Sequence, residues 1–176
     1  MRNVTLCMAM LAVAACSESA DTELSGPQML AAGVEEKVTG GGQFVHPVFG
    51  TVAFSFVAIR QPDGTVSGKF EQNQFDVGAT YKGNVTCFAV DQENHRAWIA
   101  GDLTFSNDPS PITEIGDDAW FRVLDVGDGT PEVDRSTFLG FEGSAGIITS
   151  EEYCAVRLWA PNNERTWPVN GNIGIH

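Results

Sequence analysis

The sequence predicts an all-β protein, a single antiparallel β-barrel or β-sandwich domain of about eight to ten short strands. Three observations lead there. Segments in which apolar and polar residues alternate with period two recur along most of the chain, the pattern of strands that bury one face. Strong turn formers such as Gln61-Pro62-Asp63-Gly64 and Asp91-Gln92-Glu93-Asn94 separate them. Nineteen glycines, eight prolines and eleven phenylalanines among 176 residues suit turns and pleated surfaces better than helices. Barrel-like closure is favoured over a sandwich.

The chain opens with Met1-Arg2-Asn3 and an apolar run, Val4 to Ala15, broken only by Thr5. About a dozen residues is the length of a signal-peptide core and too short to span a bilayer. The run ends in Val13-Ala14-Ala15-Cys16, which resembles the bacterial lipobox, and polar Ser17-Glu18-Ser19 follows at once. The resemblance implies that residues 1–15 are a lipoprotein signal peptide and that Cys16 is diacylated and becomes the mature first residue. Acyl chains contribute about 0.8 kcal/mol per buried methylene, enough in combination to hold a protein at a membrane without a spanning helix. Ser17, where an aspartate is absent, fits sorting to an outer membrane. The competing reading is an ordinary signal peptide and a secreted protein. Residues 16–34 are small and polar and read as a flexible lipidated tether, in which Pro27 to Ala32 could form one helical turn ended by Gly33. The β-rich domain is expected over 35–176.

Of four cysteines, Cys7 leaves with the signal and Cys16 is acylated, so Cys87 and Cys154 remain in a compartment that permits disulfides. A Cys87–Cys154 bond is expected; two separate buried thiols are the alternative.

Within the domain, Val38-Thr39 begins a strand, and Gly40 to Gly42 read as a bend or bulge rather than a phosphate loop, because no Gly-Lys-Ser/Thr ending follows. Gly50 to Arg60 is the clearest strand. After the Pro62-Asp63-Gly64 turn, Thr65 to Gln74 returns, with its polar half, Glu71 to Gln74, expected at a rim. Tyr81 to Phe105 forms the central hairpin: Val85, Cys87 and Ala89 alternate with Thr86, Phe88 and Val90, so that both faces are expected to be covered near Cys87. Ser106 to Asp118 is a loop, Ala119 to Val126 a strand and residues 127–135 an acidic loop. Ser136 to Phe141, Ala145 to Thr149, Cys154 to Ala160 and Val169 to Ile175 are expected as further short strands.

Several fragments together resemble an uncharacterised family of exported bacterial β-rich domains: Val38-Thr39-Gly40-Gly41-Gly42, Gly83 to Val90 followed by Arg96 to Gly101, Trp120 to Gly129 with Asp134-Arg135-Ser136, and the closing Gly171-Asn172-Ile173-Gly174-Ile175. The resemblance runs from about Val38 to Ile175. It implies a shared fold and disulfide, and it transfers no catalytic residue.

Ten Lys and Arg against 23 Asp and Glu give a formal charge of −13. That excess repels phosphate backbones and anionic headgroups, so nucleic acid is not an expected partner and the membrane is met only through the lipid. Asp125, Asp128, Glu132 and Asp134 around glycines offer hard oxygen ligands suited to calcium, without the order of an EF-hand loop; a solvated acidic turn, or pairing with Arg135, is the plainer expectation. His46 and His95 are expected to be exposed and His176 mobile, with no zinc-type spacing. No Gly-x-Ser-x-Gly elbow occurs. Trp98, Trp120, Trp159 and Trp167 with Tyr81 and Tyr153 could line a cavity or a sugar-binding face, and Arg96 and Asp102 on the strand face of Trp98 would suit a semi-polar pocket for a small molecule or carbohydrate, although large rings also simply fill cores. The favoured expectation is a non-enzymatic, lipid-anchored interaction or structural domain of the cell envelope. Small-molecule or carbohydrate binding in a barrel cavity comes second, and a hydrolase or isomerase third.

Overall fold

The computed structural model of the protein describes residues 36–127 and 130–176. The signal segment, Cys16, the tether and Asp128 lie outside them.

Six long strands follow one another as an antiparallel meander: β1 (Glu36–His46), β2 (Gly50–Arg60), β3 (Val66–Gln74), β4 (Ala79–Asp91), β5 (Arg96–Ser106) and β6 (Asp118–Leu124). Short polar turns leave each strand no partner but its neighbour. In the β2–β3 turn the Gly64 amide reaches the Gln61 carbonyl at 2.8 Å, and Gly64 takes φ 83°, which a Cβ would disfavour. The edge of β6 is then covered by two fragments, β7 (Arg135–Ser136) and β8 (Gly140–Phe141). The last segment, β9 (Trp167–Pro168) and β10 (Asn170–Ile175), pairs with β7 through β9 and with β1 through β10, so the sheet comes round on itself as a nearly closed barrel.

Alternation along the strands fills the interior. Phe54, Phe56, Phe70 and Phe121 meet inside it, with the Phe121 ring edge-on to Phe56 at 5.1 Å and to Phe70 at 5.9 Å. The gap beside these rings and Leu139 has a volume of about 10 Å³, so the middle of the barrel is packed rather than hollow.

The central hairpin is covered on both faces, as its composition predicts, but its alternation is not continuous. A bulge at Thr86, between the Val85↔Gly101 and Cys87↔Ala100 pairs, changes the phase of β4. Val85 and Phe88 therefore both face the barrel core, while Cys87 and Ala89 face outward. On that outer side a helix, α1 (Ser150–Val156), covers β4 to β6. It buries Tyr153 and Cys154 against Trp98, Ala100 and Trp120. Cys154 is joined to Cys87, with Cα atoms 6.4 Å apart. Closing a loop of that separation contributes roughly 4 kcal/mol in the chain-entropy model.

Several expectations are corrected. Gly40 to Gly42 form no bend: β1 runs through them in unbroken register with both β2 and β10. They are glycines because neighbours crowd them, and a Cβ on Gly40 would lie 2.6 Å from the Phe56 ring. The polar half of β3 does end at the barrel mouth but does not turn out to solvent, since Gln72 and Gln74 keep the inward phase of Phe70 and are each only 3% exposed. Ala145 to Thr149 and Cys154 to Ala160 are not strands. Residues 144–146 make a 3-10 turn, and Thr149 caps α1 by accepting from the Glu152 amide at 3.1 Å while the Glu152 carboxylate accepts from the Ile148 amide at 2.9 Å. His46 is half-buried, and the main chain of His176 pairs with Lys37 in both directions.

Candidate functional site

The turns at 47–49 and 75–78 and the loop at 107–117 gather at one end of the barrel, where β1, β3 and β5 finish and β2, β4 and β6 start. Between them opens a cleft of about 380 Å³, within the range of small-molecule pockets. Its walls are mostly apolar, from Phe49, Val77, Ile112, Phe138 and Phe141, and its polar lining is Ser110, Thr113 and four larger side chains: Gln74, Tyr81, Asn107 and Asp108.

Three of the four are committed to the scaffold. Asn107 accepts from the Thr80 amide at 2.6 Å and donates to the Gly78 carbonyl at 3.0 Å, stitching the long loop to the β3–β4 turn. Asp108 accepts from the Ser110 amide at 3.0 Å and from the Tyr81 hydroxyl at 2.5 Å. Burial, then the hydrogen bond and charge of Asp108, hold the Tyr81 phenol well above its ordinary pKa, so it stays neutral and acts as a fixed dipole. Gln74 is the exception. It lies close enough to Tyr81 to act against that rise, yet its buried Nε2 has no partner in hydrogen-bond geometry. A buried donor left unmade costs about 1–3 kcal/mol, which makes this amide unlike an ordinary core group.

An aromatic cluster backs the cleft. His46 Nδ1 accepts from the Val48 and Phe49 amides at 3.1 and 3.2 Å, and its ring packs on Phe49, Phe138 and Trp167 at 4.8, 5.1 and 4.5 Å. Phe49 and Phe138 stack at 4.6 Å. Desolvation lowers the His46 pKa, in keeping with a neutral ring whose lone pair closes the turn.

Apart from Tyr81, the pocket residues expected from sequence lie elsewhere. Arg96, Trp98, Asp102 and Trp120 are on the outward phase of β5 and β6. Trp98 donates to the Leu158 carbonyl at 2.8 Å, Trp120 stacks on Tyr153 at 5.5 Å, and Arg96 lies 4.7 Å over the Trp159 ring. Asp102 pairs in register with Asp118. Trp98 and Trp120 thus meet in the core beneath α1, away from the barrel interior.

The acidic residues have structural partners. Asp134 accepts from Val126 at 3.1 Å and from Ile173 at 2.6 Å; Asp125 accepts from Gly127 at 2.8 Å and from Ile175 at 3.0 Å. Glu132 is exposed, and Arg135 pairs with Thr166 rather than with an acid. Among the described residues no group of three or more His, Cys, Asp or Glu is arranged to hold a metal ion. Of the four larger polar residues Tyr81 is one of the aromatic side chains expected from sequence to line a cavity, and it does line this cleft. Gln74, Asn107 and Asp108 are not expected from sequence, and the one signal for Gln74 is the inward parity that it and Gln72 share with Phe70. No family model, curated protein or solved structure matches the chain.

Proposed function

We propose that this is an exported, lipid-anchored binding protein of the bacterial cell envelope whose barrel mouth takes a small, largely apolar, neutral molecule carrying a hydrogen-bond acceptor. The observation behind it is the unpartnered Gln74 Nε2 beside an apolar cleft of about 380 Å³, a donor awaiting an acceptor. Asp108 at the cleft disfavours an anion there. Tyr81 and Asp108 orient a ligand and move no proton, so no reaction is assigned. Support for export comes from the apolar leader and the Val13-to-Cys16 motif, and the Cys87–Cys154 pair suits an oxidising compartment.

Two measurements test this. The neutral dye N-phenyl-1-naphthylamine should bind with a rise in fluorescence, and Ile112→Asp at the cleft wall should weaken it about tenfold; equal binding by the variant removes the cleft from the account. Palmitate labelling should disappear in Cys16→Ala, and a labelled variant would end the anchoring claim.

Exposed apolar side chains at the same end, Val45 near the end of β1 and Val48 and Phe75 on the turns, at 69%, 74% and 59% exposure, favour a second reading in which this end docks on another envelope component. Val48→Asp with Phe75→Asp would then abolish docking and leave dye binding intact.

A further inference from the structure

Beyond the barrel mouth, a second cleft of about 230 Å³ lies between β6 and the segment that follows α1. Trp120, Arg122, Thr137, Tyr153, Arg165 and Trp167 line it. We propose that this cleft is an oxyanion site, taking the carboxylate, phosphate or sulfate group of a small molecule between Arg122 and Arg165.

In a chain with 23 acids and ten Lys and Arg, guanidinium groups should find carboxylates easily. Those of Arg96, Arg122 and Arg165 do not. Among the described residues the ion pairs are Arg60–Glu36 and Lys82–Glu71, both elsewhere. Arg122 and Arg165 line one cleft, and Arg96 shares the Trp159 ring with Arg122. Burial lowers the Arg122 pKa first, and the charges of Arg165 and Arg96 push it the same way against the opposing pull of Tyr153. The Nε atoms of Arg96 and Arg122 are buried without a partner. Neighbouring like charges, two of them half-buried, cost free energy, and a shared anion is the chemistry that relieves it.

A purely structural role covers only part of this. Arg122 clamps the segment after α1 by donating to the Leu158 and Glu164 carbonyls at 3.0 and 3.3 Å, and Arg96 and Arg122 both lie over Trp159, at 4.7 and 5.2 Å. Arg165 has no hydrogen-bond or ion-pair partner among the described residues. It is exposed, lines the cleft and holds φ 61°, a left-handed conformation that a residue with a Cβ adopts at a cost. An arginine kept in a glycine conformation and lining the same cleft as a second arginine is poorly explained by packing. The negative charge of the whole protein does not forbid the site, because at physiological salt charges beyond about 8 Å are largely screened.

The test uses the purified protein in detergent. Sodium phosphate and, separately, sodium benzoate are titrated while sodium chloride keeps ionic strength constant, and the arginine Nε–H signals are followed by nitrogen–proton NMR. The signals of Arg122 and Arg165 should shift saturably with at least one of the two, and the stronger one identifies the head group. Arg165→Gly should weaken that midpoint about tenfold, the effect of losing one charge-assisted hydrogen-bonding group, yet melt no lower than the parent because the backbone strain is gone. Gln74→Leu should leave the titration unchanged, so the two clefts can fail independently. No saturable shift with either anion, or an unchanged midpoint in Arg165→Gly, overturns the proposal.

Discussion

The two ends of the barrel treat buried polar groups in opposite ways. At the end where β10 finishes, each carboxylate that turns inward is used up. The amides of Val169, Ile173 and Ile175 share a parity that points away from β1, and no long strand lies on that side to receive them. Asp134 receives two of the three, Val169 through its carbonyl at 2.8 Å and Ile173 through its carboxylate, and Asp125 receives Ile175. Side chains stand in for the missing part of a strand and close the sheet. At the opposite mouth, a committed network of Asn107, Asp108 and Tyr81 surrounds one glutamine whose Nε2 approaches Tyr81 without reaching hydrogen-bond geometry. A fold tolerates an unmade bond where a ligand can complete it, so the contrast sets a structural end against the end proposed to bind.

The sharpest way to break the comparison is to remove the clamp. Asp134 is 9% exposed, and both its oxygens accept from main-chain amides. Hydrogen bonds to charged groups contribute about 1.5–3 kcal/mol each, so Asp134→Ala should lower unfolding stability in urea by about 3–5 kcal/mol. Hydrogen exchange should rise first at the Ile173 amide. A loss below about 1 kcal/mol would mean that the seam is held elsewhere.

Much of this contrast was hidden in the sequence for physical reasons. The meander was legible because period-two alternation and Pro-Asp-Gly chemistry act locally. The helix was missed because Cys154, Val156 and Leu158 alternate like a strand, while the stronger signal, Thr149 three residues before Glu152, is a capping pattern. A loop holding Asp125 and Asp134 looks the same from sequence whether its acids meet calcium, water or main-chain amides, since the partners Ile173 and Ile175 lie about forty and fifty residues away. The Gln74 amide was hidden by its chemistry, because polar residues ending a strand ordinarily mark its exit into solvent.

Two glutamines on one strand supply the next test. Gln74→Leu removes an unsatisfied donor and should raise stability by about 1–2 kcal/mol while weakening any acceptor-bearing ligand. Gln72 Oε1 accepts from the Leu139 amide at 3.3 Å, so Gln72→Leu strands that amide and should cost about 1 kcal/mol. Equal signs for the pair would erase the distinction between a used and an unused amide. At the clamped end Asp125→Asn, which keeps an acceptor but drops the charge at a less buried site, should cost under about 1 kcal/mol and raise exchange at Ile175 alone.

The smallest effect expected is a pH dependence, and it belongs to the end proposed to bind. His46 has its pKa lowered by desolvation, and its Nδ1 lone pair holds the Val48 and Phe49 amides that set one wall of the cleft. The unfolded chain takes up a proton at about pH 6.5 while the folded one resists it, so the unfolded state binds more protons over the interval just below that value. Stability contributed by His46 is therefore complete above about pH 6.5 and is lost as pH falls through the lower folded pKa. His46→Phe keeps a ring in the cluster but cannot titrate, and its urea midpoint should fall less than the parent's between pH 7.5 and 5.5. Protonation also takes Nδ1 from the turn, so binding of the neutral dye should weaken in the parent over the same interval and stay level in the variant. Parallel pH profiles would place the sensitivity at another group and leave His46 as packing alone.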